Sequence, residues 1–283
     1  MPRRARTAFV GAALGGCLVV LTAVVALHVG LGQHADQVIF RGFLGLSRPT
    51  VNSVAGFVAR LCNPTPWVYF AVVPVIVALA RRRPRVALAV VVILVGANLT
   101  TQLLKPLLAV PRAHNLLGDQ SPVSVASWPS GHATAAMSLA LGSVLAAPGR
   151  WRGVVAALGA TFAVAVSYSF LTLGWHYPSD VLGGFLIAGT WALAAVGMLF
   201  KLEAQRPRLA AASPVTQVSL RRTVTPSALA LAGGVALAAL VALAWPHQVV
   251  GYVRSHEAFV IGAAAIALLG LLVATAVSSA FRR

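Results

Sequence analysis

The sequence predicts an all-α fold, a polytopic membrane bundle of helices, and three observations carry that reading. Of 283 residues, 59% are hydrophobic and only 10% charged, and the mean hydropathy of +0.86 exceeds what a soluble core can hide. The apolar residues come in runs of membrane-spanning length, about 20 residues each. Ala, Val, Leu and Gly fill those runs while aromatics make up 7% of the chain, which suits close helix packing in lipid rather than the alternating strands of a barrel.

The first run, 8–32, follows the basic segment Arg3, Arg4, Arg6. It is too long for a secretion signal and lacks a small-residue cleavage site, so it is expected to remain as a helix. From Gln33 to Pro64, Asp36, Arg41, Arg48 and Arg60 are separated by apolar residues, a pattern for short helices lying at the membrane interface. Further spans are expected at 65–80, 86–108, 131–148, 153–174 and 180–200, then at 226–246 and 258–280 beyond the polar stretch from Glu203 to Thr225. The chain then divides into a six-helix core over 1–202, a linker over 203–225, and two additional transmembrane helices over 226–283.

Twenty-two Lys and Arg against five Asp and Glu give a formal charge of +17. In a soluble chain that excess would suggest nucleic acid, so its location decides its meaning. Counted on alternate sides of eight spans, one side holds Arg3, Arg4, Arg6, Arg81, Arg82, Arg83, Arg85, Arg150, Arg152, Lys201, Arg206, Arg208, Arg221, Arg222, Arg282 and Arg283, with Glu203 as its one acid. The other side holds Arg41, Arg48, Arg60, Lys105, Arg112, Arg254 and the remaining acids. By the positive-inside rule both termini are cytoplasmic. The expected partners are the bilayer and anionic inner-leaflet lipid, with no nucleic acid. Cys17 in an apolar run and Cys62 in a loop suggest neither a disulfide framework nor a thiolate metal site.

That orientation gathers three polar strings on the outer face. Trp128-Pro129-Ser130-Gly131-His132 opens span 4, with a proline suited to a first helical turn and a glycine that lets a ligand approach the backbone. A helix start with free N–H groups and a serine hydroxyl can receive an anion, and phosphate suits it. His176-Tyr177-Pro178-Ser179-Asp180 opens span 6, and its four-residue step lets histidine and carboxylate share a helix face. An aspartate holding one imidazole nitrogen leaves the other nucleophilic. Lys105 and Arg112 flank a proline-containing turn, where two cations can clamp phosphoryl oxygens. Each string alone also has an ordinary reading, as a capped helix start, a headgroup His–Asp pair, or snorkelling cations.

Together the strings resemble the type 2 phosphatidic acid phosphatase family, which is related to vanadium haloperoxidases. That family carries a lysine, six residues and Arg-Pro; then Pro-Ser-Gly-His; then Ser-Arg, five residues, a histidine, three residues and an aspartate. The second string matches in full, and the motifs cover about Leu103 to Gly184. The six-helix family core would extend from span 1 to span 6, leaving spans 7 and 8 without a counterpart. Two positions depart: Arg112 is preceded by Pro111 and followed by Ala113, and Ser169 is followed by Phe170 where the family has an arginine. Arg41, Arg48, His114 and Arg254 are candidate replacements from neighbouring outer loops.

The resemblance implies a lipid phosphatase that needs no metal and no cofactor, and five acidic residues offer no carboxylate cluster for a metal pair. It implies that His176 is the nucleophile, Asp180 its orienter and His132 the general acid, with Lys105, Arg112, Ser130 and Gly131 holding the phosphoryl oxygens. The substrate stays open among phosphatidic acid, phosphatidylglycerol phosphate, polyprenyl phosphates or pyrophosphates, and a prenyl-linked sugar phosphate. The rival is a noncatalytic lipid-phosphate-binding or scaffold protein that has lost turnover with the third-motif arginine. A transporter is a weaker third reading, because no charge lies deep in a span and no pair of broken helices is evident. Oligomeric state is not readable from the sequence.

Overall fold

The structure, a computed structural model, describes residues 1–111, 123–205 and 219–281. Among the described residues the regular elements are all helical. In chain order they are α1 (Arg3–His28), α2 (Gly30–Leu44), α3 (Pro49–Arg60), α4 (Pro64–Ala80), α5 (Pro84–Leu107), α6 (Gly131–Ala146), α7 (Arg152–Thr172), α8 (Pro178–Gln205), α9 (Leu220–Ala244), α10 (Pro246–Ser255) and α11 (Glu257–Ser279). A single 3-10 turn, Gly149–Trp151, leads into α7. The expected all-α membrane bundle is what the chain forms.

Among the described residues six helices are long and apolar enough to cross a membrane: α1, α5, α7 with its leading turn, α8, α9 and α11. The other two expected spans differ for physical reasons. The run at 65–80 is α4, which joins α3 at a 52° bend. Pro64 and Pro66 lack the N–H groups that would continue the preceding helix, so a new one starts there. The run at 131–148 is the 16-residue α6, of which twelve residues are buried. It packs against α4, α5, α7, α8 and α11, so its partners are protein on all sides and its length need not match the bilayer. The first apolar run also divides, because Val29 is extended and separates α1 from α2.

Around α6 the core is built from Ile93 and Leu94 of α5, Met137 and Leu141 of α6, Phe170 of α7 and Phe185 of α8. Two side-chain bonds tie α6 to its neighbours: Trp67 Nε1 donates to the Ala135 carbonyl at 3.0 Å, and Asn98 Nδ2 to Ser138 Oγ at 3.2 Å. α11 packs against α2, α6, α7 and α8, where Tyr168 donates to the Ala263 carbonyl at 2.6 Å. α9 rests on α7 and α11 and presents much of its surface outward. At one end of the bundle Arg4, Arg83, Arg85 and Arg152 surround Glu203. Lys105, at the far end of α5 from Arg83, belongs to the opposite end.

Close approach of α8 to the start of α6 depends on two adjacent glycines. A Cβ at Gly184 would sit 2.9 Å from the Ser130 carbonyl oxygen and 3.0 Å from the Thr134 nitrogen, and one at Gly183 would meet the Trp128 ring at 2.8 Å. Backbone cannot yield as a flexible side chain can. Gly184→Val is therefore expected to destabilise the protein by about 1–3 kcal/mol through overpacking, read as a lower thermal midpoint in detergent. Gly16, with nothing near its Cβ position, should tolerate the same change.

Candidate active site

The start of α6 is organised by its cap. Ser130 is the N-cap residue, with an extended backbone and an Oγ that accepts the Ala133 N–H at 3.3 Å. Its own N–H donates to the Asp180 carbonyl at 2.9 Å, so the starts of α6 and α8 are joined directly. Thr134 Oγ1 donates to the Ser130 carbonyl and also meets Thr101 Oγ1 of α5, both at 2.9 Å. Pro129 lies before the cap rather than in the first helical turn, a correction to the expected geometry. The N–H groups of Gly131 and His132 head the helix, where no preceding turn supplies a carbonyl. Beside them a Cβ at Gly131 would lie 3.8 Å from Lys105 Nζ and 3.5 Å from Gln102 Nε2. A lysine ammonium thus reaches the helix start that its sequence position suggested.

At the start of α8, His176 Nδ1 lies 3.2 Å from Asp180 Oδ2, and the Tyr177 N–H donates to the same oxygen at 3.0 Å. The pair forms through a turn rather than a shared helix face. Pro178 begins the helix, and a residue preceding proline is disfavoured from helical geometry, so His176 and Tyr177 stay outside. Asp180 is completely buried. Its bond to Nδ1 leaves Nε2 of His176 as the nitrogen available to a reacting atom.

A residue expected only at the interface proves to brace this turn. Asp36 of α2 is buried and accepts twice from Ser179, from its N–H at 2.9 Å and its Oγ at 2.5 Å. One turn along α2, Phe40 packs on Tyr177 with ring centroids 5.1 Å apart. The one carboxylate of α2 was the available signal, since such a group in a membrane protein needs a partner. Asp36→Ala is expected to cost about 2–4 kcal/mol, because two charge-assisted bonds vanish and the Ser179 donors stay buried. Thermal unfolding in detergent measures this, and Asp36→Asn should recover part of the loss.

The two histidine rings approach edge to face, with centroids 6.5 Å apart. His132 Nε2 lies 3.0 Å from Asn63 Oδ1, at the bend between α3 and α4. A cleft of about 270 Å³ opens here, lined by Cys62, Trp67, Gln102, Lys105, Gly131 and His132 among others. Phe170 stands beside both histidines, edge-on to His176 at 5.1 Å and 5.9 Å from His132, and is fully buried. Trp175 closes on His132 at 5.8 Å.

The site thus unites His132, His176, Asp180, Ser130, Gly131 and Lys105, while Arg112 and His114 lie outside the described residues. Of the candidate replacement cations, Arg48 is turned to the carbonyls of Gly45 and Ser47 at 3.2 and 2.7 Å. Arg41 and Arg254 sit in the last turns of α2 and α10. Among the described residues no three His, Cys, Asp or Glu side chains converge as a metal site would require. Asn63 and Asp36 are polar site contacts that no motif announced.

The fold and the site define a polytopic helical membrane bundle in which two helix starts, a lysine and two histidines meet. Residues 86–204 match the family model of the PAP2 superfamily. The family that this model describes is the one the three strings resemble. An undecaprenyl-diphosphatase of Sulfolobus acidocaldarius is 28% identical over 147 residues, covering 50% of this chain and 67% of that protein. The crystal structure of the first transmembrane PAP2 type phosphatidylglycerolphosphate phosphatase, from Bacillus subtilis, matches with a TM-score of 0.55 at 20% identity. That match covers 69% of this chain and 98% of the other, and it places the bundle in the transmembrane PAP2 fold.

Proposed function

We propose that this protein is a metal-independent lipid phosphatase that hydrolyses a phosphate monoester or pyrophosphate of a lipid at the outer membrane face through a phosphohistidine. One observation carries the reading: His132 and the His176–Asp180 pair face each other beside the Lys105 ammonium and the capped start of α6. In the first step His176 Nε2 attacks phosphorus and the bond from phosphorus to the leaving oxygen breaks. His132 gives that oxygen its proton, releasing the lipid product. In the second step a water loses a proton to His132 and its oxygen attacks phosphorus, breaking the phosphorus–nitrogen bond and releasing phosphate. Lys105, Arg112, Ser130 and the Gly131 N–H hold the nonbridging oxygens, where charge develops in the transition state.

The basic side of the chain supports cytoplasmic termini and an outer site. The names of the two relatives support a lipid-linked phosphate or diphosphate as substrate. Purified protein in detergent with excess chelator should release phosphate from at least one lipid in a panel of phosphatidic acid, phosphatidylglycerol phosphate, a polyprenyl phosphate and a polyprenyl pyrophosphate. Release that needs added metal, or none from any member, would sink this reading. The second reading, a lipid-phosphate-binding protein without turnover, is favoured by Phe170 at the arginine position of the third motif, and binding without release would identify it.

A further inference from the structure

Asn63 is the N-cap residue of α4, yet its side chain makes no capping bond to that helix. Asparagine is among the strongest N-cap formers because its oxygen ordinarily accepts an N–H from the second or third helical residue. The sequence removes one of those donors. After Asn63 come Pro64, Thr65 and Pro66, so the first and third helical positions have no N–H and Thr65 alone could serve. The side-chain oxygen instead lies 3.0 Å from His132 Nε2, across 69 residues of sequence. The backbone carbonyl of Asn63 still takes the Trp67 N–H at 3.0 Å, which holds Asn63 at the helix end.

From this we propose that Asn63 is a positioning residue for His132. Its amide oxygen keeps a proton on Nε2 and leaves Nδ1 as the nitrogen that exchanges a proton with the reacting oxygen. The inference rests on the phosphatase reading for the role of that proton. It also explains how two similar rings are given different work. His176 is backed by a carboxylate, which orients the ring and lies beside the positive charge that the ring gains on attacking phosphorus. His132 is backed by a neutral amide, which sets tautomer and orientation without adding a charge that would hold the proton on the ring. An acid that must release a proton and take one back needs that milder partner.

Among the described residues, the titratable and charged groups facing His132 are Lys105 of α5, His176 before α8 with Asp180 behind it, and Cys62 at the α3–α4 bend. All are unchanged in position-63 variants, so a shift in those variants reports Asn63. The test follows the His132 ring directly by NMR of 15N-histidine-labelled protein in detergent, with His132→Gln identifying its signals. In the wild type the neutral ring should carry its proton on Nε2. Asn63→Ala should lose that preference, and Asn63→Asp should raise the titration midpoint of His132 by roughly 1–2 pH units through the added carboxylate. A neutral ring protonated on Nδ1, or the same midpoint in Asn63→Asp and wild type, would overturn the proposal.

The second readout is kinetic. With a lipid phosphate that the wild type hydrolyses, Asn63→Ala should lower kcat roughly tenfold with little change in KM. Asn63→Asp should move the alkaline limb of the kcat profile upward together with the NMR midpoint. A variant that only loses thermal stability and keeps the wild-type pH profile would show a structural role and overturn the proposal. Absence of phosphate release in the wild type would defeat the phosphatase reading alone, since the NMR result still decides what Asn63 does.

Discussion

His176→Ala is expected to lower phosphate release by roughly 10³-fold or more, to the background of the assay, while the protein stays folded. Loss of an activated nucleophile in a site that works as a unit has consequences of that order. The structure explains why folding should survive. The Tyr177 N–H still donates to Asp180 Oδ2, the Ser130 N–H still bonds the Asp180 carbonyl, and Asp36 still holds Ser179. Counting both bonds from Ser179 to Asp36, four hydrogen bonds around the turn thus remain when one ring leaves. Removing His176 also leaves the Lys105 cleft and the α6 start in place, so lipid-phosphate binding should persist. Wild-type-like release in this variant would remove the phosphohistidine from the mechanism. Trapping 32P-labelled enzyme with labelled lipid phosphate and quenching early in turnover tests the same step, and His176→Ala should carry no acid-labile label.

Phe170→Arg carries the other large effect, in the opposite direction. Phe170 lies within ring contact of both histidines and occupies the position where the third motif of the PAP2 family has a phosphate-binding arginine. A guanidinium placed there would offer a fork of charged donors to the nonbridging oxygens, stronger than any neutral contact. One such donor is worth on the order of 2–4 kcal/mol in a water-excluded site. Part of that gain is offset, because an arginine buried in the free enzyme lacks its phosphate. The expected result is an increase in kcat/KM of about tenfold, with a lower thermal midpoint in the absence of ligand. A loss of activity in a protein that still folds would show that the pocket has adapted to the phenyl ring. Addition of inorganic phosphate or vanadate should restore stability to the variant more than to the wild type, since the variant adds a buried guanidinium to the Lys105 ammonium already at the site.

Much of the site was legible because its chemistry is local. Pro178 and Asp180 lie within one turn of each other, and Ser130 caps the helix it precedes. Such features follow from the preferences of a few neighbouring residues. Lys105 ends an apolar run that must finish near the next polar string, and the structure brings its ammonium beside Gly131. Local rules misplaced Pro129 and the His176–Asp180 geometry by a residue or two, since helix boundaries depend on which N–H groups find acceptors. Phe170 could be noticed as a motif departure, yet only the packing reveals that its ring touches both histidines.

Composition and hydropathy alone determined that the chain is an all-α membrane bundle, because about 20 apolar residues in a row have few other homes and charges stay outside them. They could not separate a helix facing lipid from one facing protein. α6 reads like any other span, and only its enclosure by five helices makes it the core that carries His132. The tertiary structure likewise decided that Asn63 meets His132 and that Asp36 meets Ser179, across 69 and 143 residues. Those pairings depend on how whole helices settle against one another, down to the missing Cβ of Gly184 that lets α8 touch the backbone of α6. Hydrophobic periodicity carries no information about such contacts. Two polar helix starts become one site only through that close approach.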